Sequence, residues 1–324
     1  MRRLAFLVAL ACGCGSSDSG VSLENYPDRA IDNFCDNATE CGFYPDLQTC
    51  LDTQDAFTVD QELADQEAGL LNPDEGKLAE CAAARTGCER DFNTNTEDVE
   101  RAIACIEAVS GSLADGEVCT SNTQCTGGIC RPDETCDPND TCCPGTCETG
   151  ELPFSQSGED CLFGPRCGVG LFCNVEVSGQ DVMLICRPQV ADGVECLAGN
   201  ACVDGHWCNS VDGESPGTCE PRAASGESCD GTSATRINAC LDVTTYCDGT
   251  TSACEPRPEA GESCGEGIPC LGYAYCDAGT CRIRPVEGEA CDAENGPDCL
   301  GRLSCLESGV CGFQTAAPRE ICEL

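Results

Sequence analysis

The stretch GESCGEGIPCLGYAYCDAGTC, residues 261–281, holds four cysteines. Its opening recurs as GEDC from Gly158 and as GESC from Gly226, each followed by three more cysteines at similar spacing. Units of four begin at Cys161, Cys196, Cys229, Cys264 and Cys291. The structural cysteines of these units are Cys161, Cys167, Cys173 and Cys186; Cys196, Cys202, Cys208 and Cys219; Cys229, Cys240, Cys247 and Cys254; Cys264, Cys270, Cys276 and Cys281; and Cys291, Cys299, Cys305 and Cys311. Five or six residues always separate the second from the third, whereas the first gap stretches to ten and the last to twelve. From the last cysteine of one unit to the first of the next there are nine residues in all four cases. Loops vary while junctions do not, which marks a tandem array whose inter-unit geometry matters.

The junctions have their own grammar. C-[RE]-P occurs at Pro188, Pro221 and Pro256, and Gly193, Gly226 and Gly261 stand three residues before the next cysteine. Proline fixes φ and glycine permits φ > 0, so a defined bend into each unit is expected. Each unit is below the ~40 residues at which a domain ordinarily needs staples or metal. Four cysteines allow three pairings. We expect first-to-third and second-to-fourth.

Composition agrees with stapling. Of 324 residues, 36 are cysteine, while Leu, Ile, Val and Phe together supply only 57. With a net charge of −40 such a chain has too little apolar surface to offset its conformational entropy, unless disulfides substitute for a core. That requires an oxidising compartment and therefore export. The acidity also disfavours nucleic acid and anionic membrane surfaces as partners.

The N-terminus, MRRLAFLVALACGCGSS, places Arg2 and Arg3 before an apolar run and then cysteines among small residues. It resembles a bacterial lipoprotein signal, in which a cysteine is lipidated and becomes the mature N-terminus. Acylation at Cys14 leaves 34 cysteines downstream, an even number, and acylation at Cys12 leaves 35. Parity favours Cys14, with Cys12 as the alternative site and plain secretion after Ala11 as the alternative route. No later apolar run approaches the ~20 residues of a membrane span, so membrane contact would be through a lipid anchor.

Along the chain we read a signal (1–13), a tether (14–24), a helical six-cysteine domain (25–112), a divergent cysteine-rich unit (113–150) and repeats at 151–190, 191–223, 224–258, 259–285 and 286–324. In the helical region Ile31, Phe34, Cys35 and Ala38 share one face, as do Leu78, Cys81 and Ala82, and Val99, Ile103, Ile106 and Val109. Asn72-Pro73 reads as a helix cap and first turn, and Thr96 with Glu97 and Asp98 as another helix start. Cys35, Cys41, Cys50, Cys81, Cys88 and Cys105 predict three disulfides. The divergent unit matches the repeats at Cys119, Cys125 and Cys130 but continues with Cys136, Cys142, Cys143 and Cys147, an odd total. Cys322 is also odd, and the two leftovers pair only if the array folds back. Six units in a row, by contrast, would reach on the order of 100 Å. The fold class is thus small disulfide-rich tandem modules, mostly loop with few short β-hairpins, behind a small α-helical disulfide-stapled domain.

No catalytic, metal or cofactor site is expected. The chain has one histidine, His206, and no C-x-x-C. GESPG (213–217) matches the nucleophile-elbow pattern around Ser215, but Pro216 follows the serine and His206 precedes it, the reverse of the order an elbow needs. Acid-rich CDAENGPDC (291–299) reads as solvated charge. Phe172, Trp207, Tyr246 and Tyr275 each precede the third cysteine of their unit. We read each ring as packing on its own unit's disulfides; the alternative is a ladder of exposed rings, with Tyr273 and Phe163, that reads a glycan or peptide.

The phrase G-E-x-C-x5-C with CGVGLFC (167–173) and CLGYAYC (270–276) resembles the N-terminal cysteine-rich module of Dickkopf proteins and EB-type modules. The full layout resembles the cysteine-rich surface lipoproteins of myxobacteria. The resemblance implies no catalytic residues, and Dickkopf signalling does not carry over, since the second, ten-cysteine module is absent. The expectation is a non-enzymatic outer-membrane or cell-surface lipoprotein that presents variable loops, such as 174–185 and 209–218, to a protein or glycan. A secreted protease inhibitor built of the same modules is the alternative.

Overall fold

The computed structural model describes residues 20–324 apart from 55–58, 84–86, 90–95, 127, 134–142, 150–153, 162–165, 179–180, 197–200, 211–214, 231–238, 293–295, 297, 314–321 and 323–324. Cys12, Cys14, Phe163, Cys136 and Cys142 therefore lie outside the described residues.

Residues 20–111 form a helical domain of α1 (Tyr26–Glu40), α2 (Leu47–Asp52), α3 (Asp60–Glu67), α4 (Glu75–Cys81) and α5 (Thr96–Ala108). A short antiparallel pair, β1 (Leu71–Pro73) and β2 (Val109–Gly111), ties its middle to its end. Pro27 and Asp28 suit the first turn of α1, whose C-terminus closes in a Schellman arrangement: Gly42 at φ +66° lets its N–H reach Thr39 O and that of Phe43 reach Ala38 O. Asp46 caps α2 through the Thr49 N–H, and Asp74 caps α4 through Gly76 and Lys77. Disulfides Cys35–Cys50, Cys41–Cys88 and Cys81–Cys105 staple the bundle.

Three local expectations change. Asn72 and Pro73 belong to β1, where proline is tolerated at an edge, and Asp74 takes over the cap. Phe34 and Ile106 are exposed, because the helices approach closely enough that Ala38, Ala104 and Ala108 fill the seams. The tether ends before residue 21: Val21 donates to Glu75 O, and Leu23 is buried with Leu78 and Ala108.

The five repeats share one construction, and the unit at Cys119 is a sixth copy. The third and fourth cysteines face each other across a hairpin, as Cys130 and Cys147, Cys173 and Cys186, Cys208 and Cys219, Cys247 and Cys254, Cys276 and Cys281, and Cys305 and Cys311. They do not bond each other. Throughout, the first bonds the third and the second bonds the fourth, from Cys119–Cys130 and Cys125–Cys147 to Cys291–Cys305 and Cys299–Cys311. Each bond closes a loop of 11 to 22 residues, which the chain-entropy model values at about 3 kcal/mol. With the three of the helical domain, these twelve make fifteen disulfides among the described residues, which place the protein in an oxidising compartment, the coarse meaning of export.

The glycine-glutamate pair is the key to the repeated phrase. Gly116, Gly158, Gly193, Gly226, Gly261 and Gly288 all have φ between +75° and +94°, the left-handed position of a β-turn that glycine occupies without penalty. Each donates its N–H to the carbonyl of its unit's fourth cysteine, as Gly261 does to Cys281 at 2.8 Å. The next residue accepts that cysteine's N–H, as Glu262 O does from Cys281 at 2.9 Å. The glutamate carboxylate then caps the turn, accepting from the N–H three residues earlier in five of the six units (Ala114, Gln156, Ala224, Glu259 and Val286). Val194 occupies that place in the remaining unit. The phrase therefore clamps the fourth cysteine, which is almost wholly buried in every unit.

The constant junction has a similar explanation. The residue three past each fourth cysteine donates its N–H into the preceding unit (Gln189 to Gly170 O, Arg222 to Gly205 O, Arg257 to Thr244 O, Arg284 to Tyr273 O). Its neighbour joins the following unit: Val190 bridges Cys202 and Ala223 bridges Cys240 in parallel, while Pro258 and Pro285 accept from Leu271 and Leu300. Adjacent residues thus belong to different units. Inserting one residue would break one set of bonds, so the junction has no slack.

Candidate interaction surface

The array folds back. Its sixth copy docks on α3, where the buried carboxylate of Asp65 accepts from Gln124 Nε2 at 2.8 Å. Repeat 224–258 bridges Glu89 through Asp242, and Val243 donates to Cys88 O. Repeats 259–285 and 286–324 share one core with the helical domain: Cys35, Ala38, Tyr44 and Cys50 pack with Cys270, Tyr273, Ala274, Cys281 and Leu300. Finally Cys322 and Gln61 exchange two hydrogen bonds, 2.6 Å from the Cys322 N–H and 3.1 Å to its carbonyl. The extended rod is thereby corrected. Beside the clusters that each part keeps for itself, their apolar edges meet in one core that the two share.

Among the described residues, repeats 151–190 and 191–223 make no backbone hydrogen bond to the helical domain. They form the arch between the two docked ends. On this arch stands the longest hairpin, strands Leu171–Ser178 and Asp181–Pro188, with Val175 opposite Leu184 and Glu176 opposite Met183. Val175 is 57% exposed on one face and Met183 39% on the other, so beyond its buried base, at Phe172 and Cys186, both faces of the hairpin reach solvent. Cys161 donates to Leu184 O, so the segment before it covers one edge as far as mid-hairpin, and Glu176 meets the Arg187 Nε at 2.6 Å. That ion pair holds the glutamate below and the arginine above their ordinary pKa values, chiefly through the hydrogen bond itself. Exposed pairs of this kind contribute little to stability.

The aromatic positions resolve differently from either expectation. Phe172 packs among Cys196, Cys202, Cys208 and Cys219, and Trp207 among Cys240, Cys247 and Cys254. Each ring crosses the junction and seals the following unit's disulfides rather than its own. Tyr246 is buried too, with its hydroxyl donating to Asp248 at 3.2 Å, and burial is the first cause raising its pKa. Tyr273 belongs to the shared core, and Tyr275 is half-buried. Rings spent on junctions form no ladder. Position within the unit was legible in sequence, but direction across the boundary was not, since spacing is the same either way.

Other candidate groups are structural in their surroundings. His206 lies on a hairpin strand with Nδ1 at 3.1 Å from Asp204 O, and Ser215 sits in the connection to the second strand of that hairpin, not in a strand-to-helix turn. Three sulfurs in each of several units, such as those of Cys264, Cys270 and Cys281, lie within 4.8 Å of one another. They are disulfide sulfurs stacked in a unit core, whereas zinc is bound by thiolates. Among the described residues no helix is long and apolar enough to cross a membrane. Comparisons with protein-family models, curated proteins and solved structures return no match for this chain.

Proposed function

We propose that this chain is a non-enzymatic, envelope-anchored extracellular lipoprotein that presents its disulfide-stapled arch to a protein or glycan at the cell surface. The observation that carries the reading is the long hairpin 171–188, anchored at its base by buried Phe172 and Cys186, exposed at Val175 on one face and at Met183 on the other, and mounted on junctions without slack. A surface fixed in this way loses little entropy on binding. The resemblance of the repeats to Dickkopf N-terminal and EB-type modules, and of the layout to myxobacterial surface lipoproteins, supports the same class. Acylation at Cys14, or at Cys12, would supply the anchor. From Cys14 to Gly20 an extended chain spans at most ~20 Å, which would hold the helical domain near the membrane.

The test uses fluorescently labelled, unlipidated protein on intact cells of the producing culture. Saturable binding should be lost when residues 176–183 are replaced by Asn-Gly, a turn that closes the hairpin while leaving Cys173 and Cys186 in place. Equal binding by both proteins would remove the hairpin from the proposal.

A further inference from the structure

The fifteen disulfides described above engage thirty of the 36 cysteines. The others are Cys12, Cys14, Cys136, Cys142, Cys143 and Cys322, and both Cys143 and Cys322 are disulfide-bonded. On the proposed export reading, on which this inference rests, Cys12 leaves with the signal and the Cys14 thiol is acylated. Four cysteines then form two bonds. Every way of pairing them joins Cys322 to one of Cys136, Cys142 and Cys143.

Position supports the same result. Gln61 holds the Cys322 backbone from both sides, and its Nε2 also donates to Asp65 Oδ1 at 2.9 Å. The same Asp65 oxygen accepts from Gln124 of the unit that contains the cysteine trio. A residue 261 positions from Gln61 is thus fixed at the seam between α3 and that unit. Cys143 and Cys322 are both only half-buried, unlike the fourth cysteines of the units.

We infer that Cys322 closes the array into a covalent ring by bonding a cysteine of the 136–143 trio. Two thiols are oxidised to one disulfide, and their two electrons and two protons pass to an exchanging protein disulfide, which becomes a dithiol. The ring pins the tail beside the array's first unit, so both ends of the arch are held at the helical domain.

The experiment is peptide mapping of full-length protein from the membrane fraction, alkylated and digested without reduction. The peptide after Arg319, carrying Cys322, should be recovered joined to the peptide carrying the trio. The Cys322→Ser chain should show one alkylated thiol per molecule in the trio, against none in the parent. Recovery of Cys322 alkylated, bonded to a second chain, or bonded to Cys12 or Cys14 overturns the ring. The mass of the N-terminal peptide separates the two readings: an unacylated N-terminus with Cys322 still joined to the trio removes the anchor and keeps the ring.

Discussion

Replacing Gly301 by alanine should undock the array from the helical domain. Gly301 has φ +63°, and a Cβ there would lie 2.3 Å from the Tyr44 hydroxyl oxygen and 3.0 Å from its ring carbons. Left-handed backbone costs an alanine about 1–2 kcal/mol, but that strain stays in the turn whether or not the array is docked; the overpacking against Tyr44, about 1–3 kcal/mol, is relieved only by undocking. At 1.4 kcal/mol per decade the undocked population rises about 5-fold to about 100-fold. The reporter is the Tyr273 amide, which donates to Gly42 O at 3.2 Å across the same interface. Its protection against hydrogen exchange should fall by at least about 5-fold if docking is what protects it. Gly288→Ala is the control, since Gly288 has φ +79° in the same repeat but nothing within 4 Å of the added carbon. It carries the backbone cost alone, confined to its own turn. Unchanged exchange at Tyr273 in Gly301→Ala, or equal loss in both variants, would refute the shared core as the agent that folds the array back.

Val194→Glu supplies the turn-capping carboxylate that five sister units possess, and should raise stability by roughly 0.5–1 kcal/mol, read as an increase in Tm. The bond between second and fourth cysteines is buried in every unit, whereas Cys161, Cys229, Cys264, Cys276 and Cys291 are partly exposed. In the units that begin at Cys161, Cys229, Cys264 and Cys291, graded reduction followed by alkylation should therefore open the first-to-third bond before the second-to-fourth bond. Trp207, the sole tryptophan, lies 2% exposed against the Cys240–Cys254 disulfide; its emission should be quenched in the native protein and rise with a red shift on reduction. The Thr49 N–H, first among its partners, holds Asp46 below the ordinary carboxylate value of 3.8. Its contribution is thus complete above that value and lost as pH falls through the lowered one, so the Thr49 amide resonance should shift with a midpoint below 3.8.

Sequence by itself determined the unit, because its constraints are local. Four cysteines at bounded spacing, a glycine at the left-handed turn position and a glutamate beside it specify one small fold regardless of what surrounds it. The nine-residue junction announced that neighbouring units are rigidly coupled, and the helical region declared itself through periodicity and an even cysteine count. Tertiary structure alone decided where the units go. Nothing in spacing distinguishes a ring that packs into its own unit from one that packs into the next, yet Phe172 and Trp207 choose the next. Nor does periodicity reveal that Ala38 and Ala104 are buried while Phe34 and Ile106 face solvent, because small residues win wherever helices come close. The return of the array depends on Gly42-Phe43-Tyr44 meeting Leu271-Gly272-Tyr273 and Gly301, segments more than two hundred residues apart. Their complementarity is one of shape, with bare glycine backbones receiving large side chains, and shape between distant segments has no period to read.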